Sequence, residues 1–173
     1  MNKVILNANH LVINALTAIN NKNYIEAKSL LEKAISIQPE MFEANHNLAI
    51  LNFQLGNLDS SILYFEKSKK IKPKFSQVYF NLGLAYDRKK NIDLAIINFK
   101  KVIKLDPNNS IALYNIGHLY KAKLEPIKAE EYLSKSLDLN PNFIKTYDDL
   151  FSLYDQSNQI EKFSNLLDKA KKI

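Results

Sequence analysis

A proline that returns at a fixed interval constrains this sequence more than any other feature. Four of the five prolines are evenly spaced along the chain, at Pro39, Pro73, Pro107 and Pro141. Because proline cannot continue a helix, each of them is expected to end a unit of the same length. Between the prolines, apolar residues recur every three or four positions, as in AIINFKKVIKL, and no segment alternates as a strand does. The pattern predicts an all-α protein built from helical repeats.

A short phrase of apolar and small residues recurs with the same period. It reads NHNLAILN at 45–52, YFNLGLAY at 79–86 and LYNIGHLY at 113–120. Glycine inside a helix costs about 1 kcal/mol relative to alanine, and this cost is tolerated where a larger side chain would not fit. Gly83 and Gly117 therefore indicate places where two helices approach closely. We therefore expect a larger side chain at either glycine to overpack the contact between the helices.

These repeated residues match a known pattern. Residues 76–109 follow the spacing W-x2-L-G-x2-Y, A-x3-F, P, with tyrosine for tryptophan, in Tyr79, Leu82, Gly83, Tyr86, Ala95, Phe99 and Pro107. This spacing resembles the tetratricopeptide repeat (TPR) family. The resemblance extends over repeats at 8–41, 42–75, 76–109 and 110–143, and over a partial fifth unit at 144–173. It implies a right-handed solenoid of about five antiparallel helix pairs, forming one domain over 1–173 in which 1–7 extend the first helix.

Two residues predict local geometry inside the repeats. Gly56, in QLGNLD, is expected to adopt the left-handed conformation that ends the first helix of its repeat. Pro126 is expected to begin a second helix, because its missing N–H has no helical partner at that position.

The resemblance further implies that the first helix of each repeat lines a concave groove. We predict that a partner binds there through Asn47, Asn81, Asn115, His46, Phe80, Asp87, Tyr114, His118, Lys121, Asp148 and Asp149. The three asparagines are each the sixth residue of their repeat. Because an asparagine side chain both donates and accepts, a column of them can bond the backbone of an extended peptide. The ladder is similar to that in the TPR region of O-linked N-acetylglucosamine transferase.

A second interpretation of the asparagines is structural. Each can bond the neighbouring helix and hold the repeats in register, and the two roles are compatible.

One known TPR ligand, the C-terminal tail of a chaperone, is not expected here. Family members that bind chaperone tails hold the terminal carboxylate with a lysine at the fifth residue of a repeat, which here is Val12, His46 or Phe80.

The predicted groove changes from apolar to acidic along the chain. Its first repeat contributes Val12, Ile13 and Leu16, and its fifth contributes Asp148, Asp149 and Asp155. We expect a basic residue of the partner near the three aspartates. Adjacent residues on a helix point about 100° apart, so we interpret Asp148 and Asp149 as a solvated acidic patch and not as an acid–base dyad.

The composition argues against catalysis and against nucleic acid. The chain has no cysteine, its three histidines are scattered, and its three glycines do not form a phosphate loop. We therefore expect a non-enzymatic protein without a cofactor or metal. The net charge of +6 comes from 23 lysines and a single arginine, whereas nucleic-acid binders normally use arginine for bidentate contacts.

We interpret the chain as a protein–protein interaction scaffold that binds a protein or peptide in its groove. No apolar run has the length of a membrane span, and no signal peptide is recognised, so we expect a cytoplasmic protein. Two alternatives stay open: the recognition domain of a larger enzyme, such as a transferase, or a self-assembling scaffold. Apolar residues lie at the two ends, Val4, Ile5 and Leu6, and Phe163, Leu166 and Leu167. We expect one end to be covered by a second copy of the chain, as a homodimer, or by further sequence, and the N-terminal end is favoured for dimerisation.

Overall fold

The computed structural model describes residues 3–171, with side chains described from residue 7 onwards. Within this range the chain forms ten α-helices and no strand, so the predicted all-α class is confirmed. The helices are α1 (Lys3–Asn20), α2 (Tyr24–Ile37), α3 (Phe42–Gln54), α4 (Leu58–Ile71), α5 (Ser76–Arg88), α6 (Ile92–Leu105), α7 (Ser110–Ala122), α8 (Pro126–Leu139), α9 (Ile144–Gln156) and α10 (Ile160–Ala170).

The periodic prolines lie in the turns that follow α2, α4, α6 and α8. Each is two residues beyond the last residue of its helix, as Pro39 is beyond Ile37. Proline disfavours the helical conformation of the residue before it and lacks an N–H of its own. The helices that follow these turns start with the same spacing as the prolines, at Phe42, Ser76, Ser110 and Ile144.

A left-handed residue closes the first helix of every repeat. Gly56 has a φ of 79°, as predicted, and the same conformation recurs once in each of the other repeats, in Lys22, Lys90, Leu124 and Asn158. The backbone N–H of the next residue then bonds back into the helix, as from Asn57 to the carbonyl oxygen of Asn52 at 2.8 Å. This bond satisfies a carbonyl that the helix end leaves free.

The chain divides into two compact units, Met1–Asn91 and Ile92–Ile173. In the N-terminal unit, each of the helices α1 to α4 packs against the next one along the chain. Alanines allow the closest approaches: Ala15 and Ala27 are completely buried in the core of α1, α2 and α3. A second cluster, in α3, α4 and α5, surrounds Phe65.

In the C-terminal unit, α7 and α8 pack without room for a side chain at Gly117. A Cβ atom at this residue would lie 2.7 Å from Cγ of Leu133 and 3.0 Å from its backbone nitrogen. The interpretation of Gly117 as a close approach of two helices is therefore confirmed. At the end of the unit, α10 contributes a single buried residue, Leu166, to the core. Pro126 begins α8, as predicted.

Candidate functional site

All the predicted binding residues lie on four helices, α3 and α5 in the N-terminal unit and α7 and α9 in the C-terminal unit. Within each unit the two helices are first helices of consecutive repeats and contact each other. We call the surfaces that they form the α3–α5 face, which carries Asn47, Phe53, Asn81 and Arg88, and the α7–α9 face, which carries Tyr114, Asn115, His118, Lys121 and Asp149.

The three asparagines make no hydrogen bond to a neighbouring helix within the described part of the chain. Asn81 accepts a bond from Nε2 of Gln77 at 3.1 Å, and Asn115 donates to the carbonyl oxygen of Ile111 at 2.7 Å, both inside their own helices. Asn47 is half-buried, and no described residue bonds to its side chain. The register-holding interpretation therefore finds no support in these bonds, and each asparagine retains at least one polar group for a ligand.

The sixth residue of the fifth repeat is Asp149, which takes the place that asparagine holds in the preceding three repeats. Nζ of Lys121 donates to its Oδ1 at 2.9 Å, and Nδ1 of His118 lies 2.7 Å from its Oδ2. Asp149 is 8% exposed, whereas its neighbour Asp148 is exposed. The prediction that Asp149 belongs to a solvated acidic patch is therefore wrong. This residue packs between the two first helices, where a carboxylate needs basic partners.

The environment of Asp149 sets its charge and that of Tyr114. Burial alone would raise the pKa of Asp149, but the hydrogen bonds from His118 and Lys121 outweigh it and hold the pKa below its ordinary value. Burial and the nearby Asp149 carboxylate raise the pKa of Tyr114 to about 12. A charged carboxylate whose two oxygens are both engaged has little capacity left for a basic residue of a partner. Asp148 and Asp155 are exposed, and their contact with a basic residue of a partner stays a prediction.

Aromatic residues just before α5 and α9 extend both faces, although they were not among the predicted binding residues. The ring of Phe143 lies 4.8 Å from that of Tyr114, and Phe75 lies 5.3 Å from Phe42, measured between centroids. Phe75 and Phe143 are two repeats apart in the sequence. Their recurrence at the residue before a first helix is the signal that would have revealed them.

His46 is packed as an aromatic residue. Its ring stacks on Phe42 at 5.1 Å and meets the edges of Phe65 and Phe75. Its Nδ1 is buried without a hydrogen-bond partner. Burial lowers the pKa of His46, and Lys72 adds to this effect while Glu43 opposes it. The lowered pKa favours the neutral form of the ring.

The C-terminal end of the α3–α5 face carries the single arginine of the chain, Arg88. The guanidinium carbon of Arg88 lies 4.5 Å from the centroid of the Phe53 ring. Its Nη1 donates to the carbonyl oxygen of Phe53 at 3.0 Å. Phe80 and Asp87, both predicted to bind a partner, are half-buried on α5 beside it.

Residues 3–171 contain neither a cluster suited to a metal ion nor a helix suited to a membrane. No group of three or more histidine, aspartate or glutamate side chains is placed to hold a metal ion. None of the helices in this range combines the length and the apolar character needed to cross a bilayer.

Comparison with known families identifies the repeat. Three family models, each described as tetratricopeptide repeat, match residues 18–82, 76–109 and 98–131. The chain belongs to the TPR family. No curated protein matches the sequence significantly. The similarity of the asparagine ladder to that of the glycosyltransferase stays a prediction.

Solved structures resemble three quarters or more of the chain in fold. MamA from Desulfovibrio magneticus is 19% identical with a TM-score of 0.87, covering 96% of this chain and 94% of its own. PilF from Pseudomonas aeruginosa is 20% identical with a TM-score of 0.79, covering 99% and 78%. YrrB, described as a TPR protein with an unusual peptide-binding site, is 24% identical with a TM-score of 0.71, covering 76% and 68%. At such identities the likeness concerns the fold, and it confirms the predicted all-α TPR solenoid class.

Proposed function

We propose that this TPR protein is a non-enzymatic interaction scaffold that binds an extended segment of a partner protein along its first helices. The observation that carries the proposal is the pair Asn47 and Asn81. They hold the same place on two adjacent helices of the N-terminal unit, and neither bonds the neighbouring helix. The peptide-binding site in the description of YrrB supports this kind of ligand for the fold.

The spacing of the two asparagines suits a peptide backbone. Packed helices are about 8–10 Å apart, and an extended chain advances about 3.3 Å per residue. Asn47 and Asn81 can therefore reach peptide groups a few residues apart on one segment. Each bond to the backbone would contribute about 0.5–1.5 kcal/mol, and it would not depend on the side chains of the segment.

A selection of linear peptides tests the proposal. A phage-displayed library is selected on the full chain, and the affinity of the enriched peptides is then measured for Asn47→Ala/Asn81→Ala. We expect the loss of two bonds to weaken binding by about one to two decades, with the melting temperature unchanged. Asn165→Ala, which removes an exposed asparagine from α10, is the control. Early melting of the double variant, or binding at full affinity, would show that the asparagines are structural.

Homodimerisation through an end of the chain stays a prediction. The side chains of Val4, Ile5 and Leu6 lie outside the described residues. At the other end, α10 leaves Leu167 40% exposed. Light scattering over a range of concentrations should show dimers, and Leu167→Lys should reduce them if this end forms the contact. The alternative of a recognition domain within a larger enzyme also stays open.

A further inference from the structure

Arg88 is held in place by two contacts to one residue of the neighbouring first helix. Its guanidinium group lies over the ring of Phe53, and its Nη1 bonds the carbonyl oxygen of the same residue. An arginine side chain has many rotamers, and fixing it costs conformational entropy. Here the contacts with Phe53 already fix the side chain in the absence of a ligand. A guanidinium fixed in this way is preorganised for an anion.

The charge of Arg88 is not neutralised within the described part of the chain. No carboxylate of a described residue lies within ion-pair distance of its guanidinium, whereas Lys89 pairs with Asp59 and Lys72 pairs with Glu43. A guanidinium has five N–H donors, and one bond to a carbonyl leaves most of them free. The site therefore offers a cation with unused donors at an exposed position.

The N-terminal unit as a whole favours an acidic ligand. Met1–Asn91 contains twelve lysines and arginines against seven aspartates and glutamates, whereas Ile92–Ile173 contains twelve against eleven. Five of the six net positive charges thus lie in the unit that carries Arg88. Such an excess attracts a negatively charged partner at long range, and a planar guanidinium then binds a carboxylate through two parallel bonds.

We propose that Arg88, positioned by Phe53, receives the carboxylate of an acidic side chain in the bound segment. The inference rests on the proposed function, because Asn81 and Arg88 are seven residues apart on α5 and so share one side of that helix. The segment that bonds Asn81 through its backbone would place an aspartate or glutamate at Arg88. A terminal carboxylate has the same chemistry, but the lysine with which chaperone-tail binders hold one is absent here.

Two peptide libraries distinguish the sources of the carboxylate. In the first, the C-terminus of each linear peptide is fused to the phage coat, so that only side chains supply carboxylates. In the second, the C-terminus is free. Both are selected on the full wild-type chain and on Arg88→Gln. We expect the fused library to be enriched in aspartate or glutamate at one position on the wild type, and to lose that preference on Arg88→Gln.

Synthetic peptides then test the pairing directly. Replacing the selected acid by its amide should weaken binding to the wild type by about tenfold or more, and should change binding to Arg88→Gln very little. Lys74→Gln removes one exposed cation from the same unit and should keep the full preference, which separates the Arg88 contact from net charge. Phe53→Leu keeps Arg88 and its backbone hydrogen bond but removes the aromatic ring that supports the guanidinium. This variant should retain only part of the acidic preference.

The outcomes separate this inference from the proposed function. Peptides that bind the wild type without an acidic preference, or an acidic preference that survives in Arg88→Gln, would overturn the role of Arg88 and leave peptide binding intact. Enrichment confined to the free-terminus library would overturn the side-chain assignment. Failure of the wild type to select any linear peptide would contradict the proposed function and this inference together.

Discussion

Gly117 shows how strongly a single residue is set by its surroundings. Leu133 of α8 fills the space that a side chain at this position would need, since its Cγ would lie 2.7 Å from a Cβ atom there. The backbone nitrogen of Leu133 is almost as close and cannot rotate away. We expect Gly117→Leu to lower the free energy of unfolding by about 1–3 kcal/mol, measured by chemical denaturation.

A second substitution tests the cause of that loss. In Gly117→Leu/Leu133→Ala the shortened side chain vacates the space that the new leucine needs. Part of the lost stability should return, so that the two substitutions are not additive. Additive losses would mean that overpacking against Leu133 is not the reason for the glycine.

His46 predicts a dependence of stability on pH. Burial among aromatic rings lowers the pKa of His46 below its ordinary value of 6.5, so near that pH the unfolded chain binds more protons than the folded one. The resulting contribution to stability is present above about pH 6.5 and is lost as the pH falls through the lower pKa of the folded state. We expect His46→Phe to flatten the fall in melting temperature between about pH 7.5 and pH 5. An unchanged slope in His46→Phe would show that His46 does not cause the loss of stability at low pH.

At the scale of the helix, the left-handed turn is the element that the sequence revealed least. Gly56 identifies the turn because glycine adopts positive φ without a steric penalty. The same turn is built from Lys22, Lys90 and Leu124, and nothing in their side chains indicates it. They adopt this conformation because the bonds that close the helix and the packing of the following helix outweigh a local cost of about 1–2 kcal/mol. Only the repeat period, carried over from Gly56, predicts them.

Leu124 is the best position at which to test this strain. It has a φ of 58° and is 88% exposed, so its side chain contributes little packing. We expect Leu124→Asn to raise the free energy of unfolding by about 1 kcal/mol, because asparagine tolerates the left-handed region. The reverse change, Gly56→Ala, should lower it by a similar amount, although no atom lies within 4 Å of the new Cβ. If both variants unfold with the same free energy as the wild type, the turn is not strained.

The contact between α7 and α9 gives a second test at this scale. Asp149 is buried and bound to His118 and Lys121, and the adjacent Asp148 is exposed. We expect Asp149→Ala to cost about 1–2 kcal/mol, less than a fully buried pair, since the His118 side chain is 51% exposed. Asp148→Ala should cost almost nothing. Equal effects on the denaturation midpoint would contradict a specific role for the ion pairs.

Sequence periodicity predicted which helices carry the candidate site but not how its residues are paired. The repeat period put Tyr114, His118 and Lys121 on one first helix and Asp149 on the next. Which of two adjacent aspartates is buried depends on the rotation of α9 against α7, to within the width of one side chain. The other repeats do not indicate which aspartate is buried, because the three preceding repeats have asparagine at the place of Asp149.

At the scale of the whole molecule, stability is expected to come from contacts between neighbours. In the C-terminal unit, α7 packs on α6 and α8, and α9 packs on α8 and α10. In such arrays stability is approximately a sum of repeat and interface terms. A helix with one neighbour therefore depends on fewer interfaces than a helix with two.

This reasoning predicts the order of local opening in the C-terminal unit. Helix α10 has one buried residue, Leu166, whereas α7 has six. We expect the backbone amides of α10 to exchange with deuterium fastest among α7 to α10, and those of α7 and α8 to exchange slowest, because the free energy of opening follows the apolar area released. Leu166→Ala should speed exchange in α10 while leaving exchange in α7 unchanged. Leu167→Ala, at an exposed neighbour, should leave exchange unchanged in both helices. Uniform protection across the four helices would instead show that the unit opens as a single cooperative body, in which the loss of one interface is felt at every other.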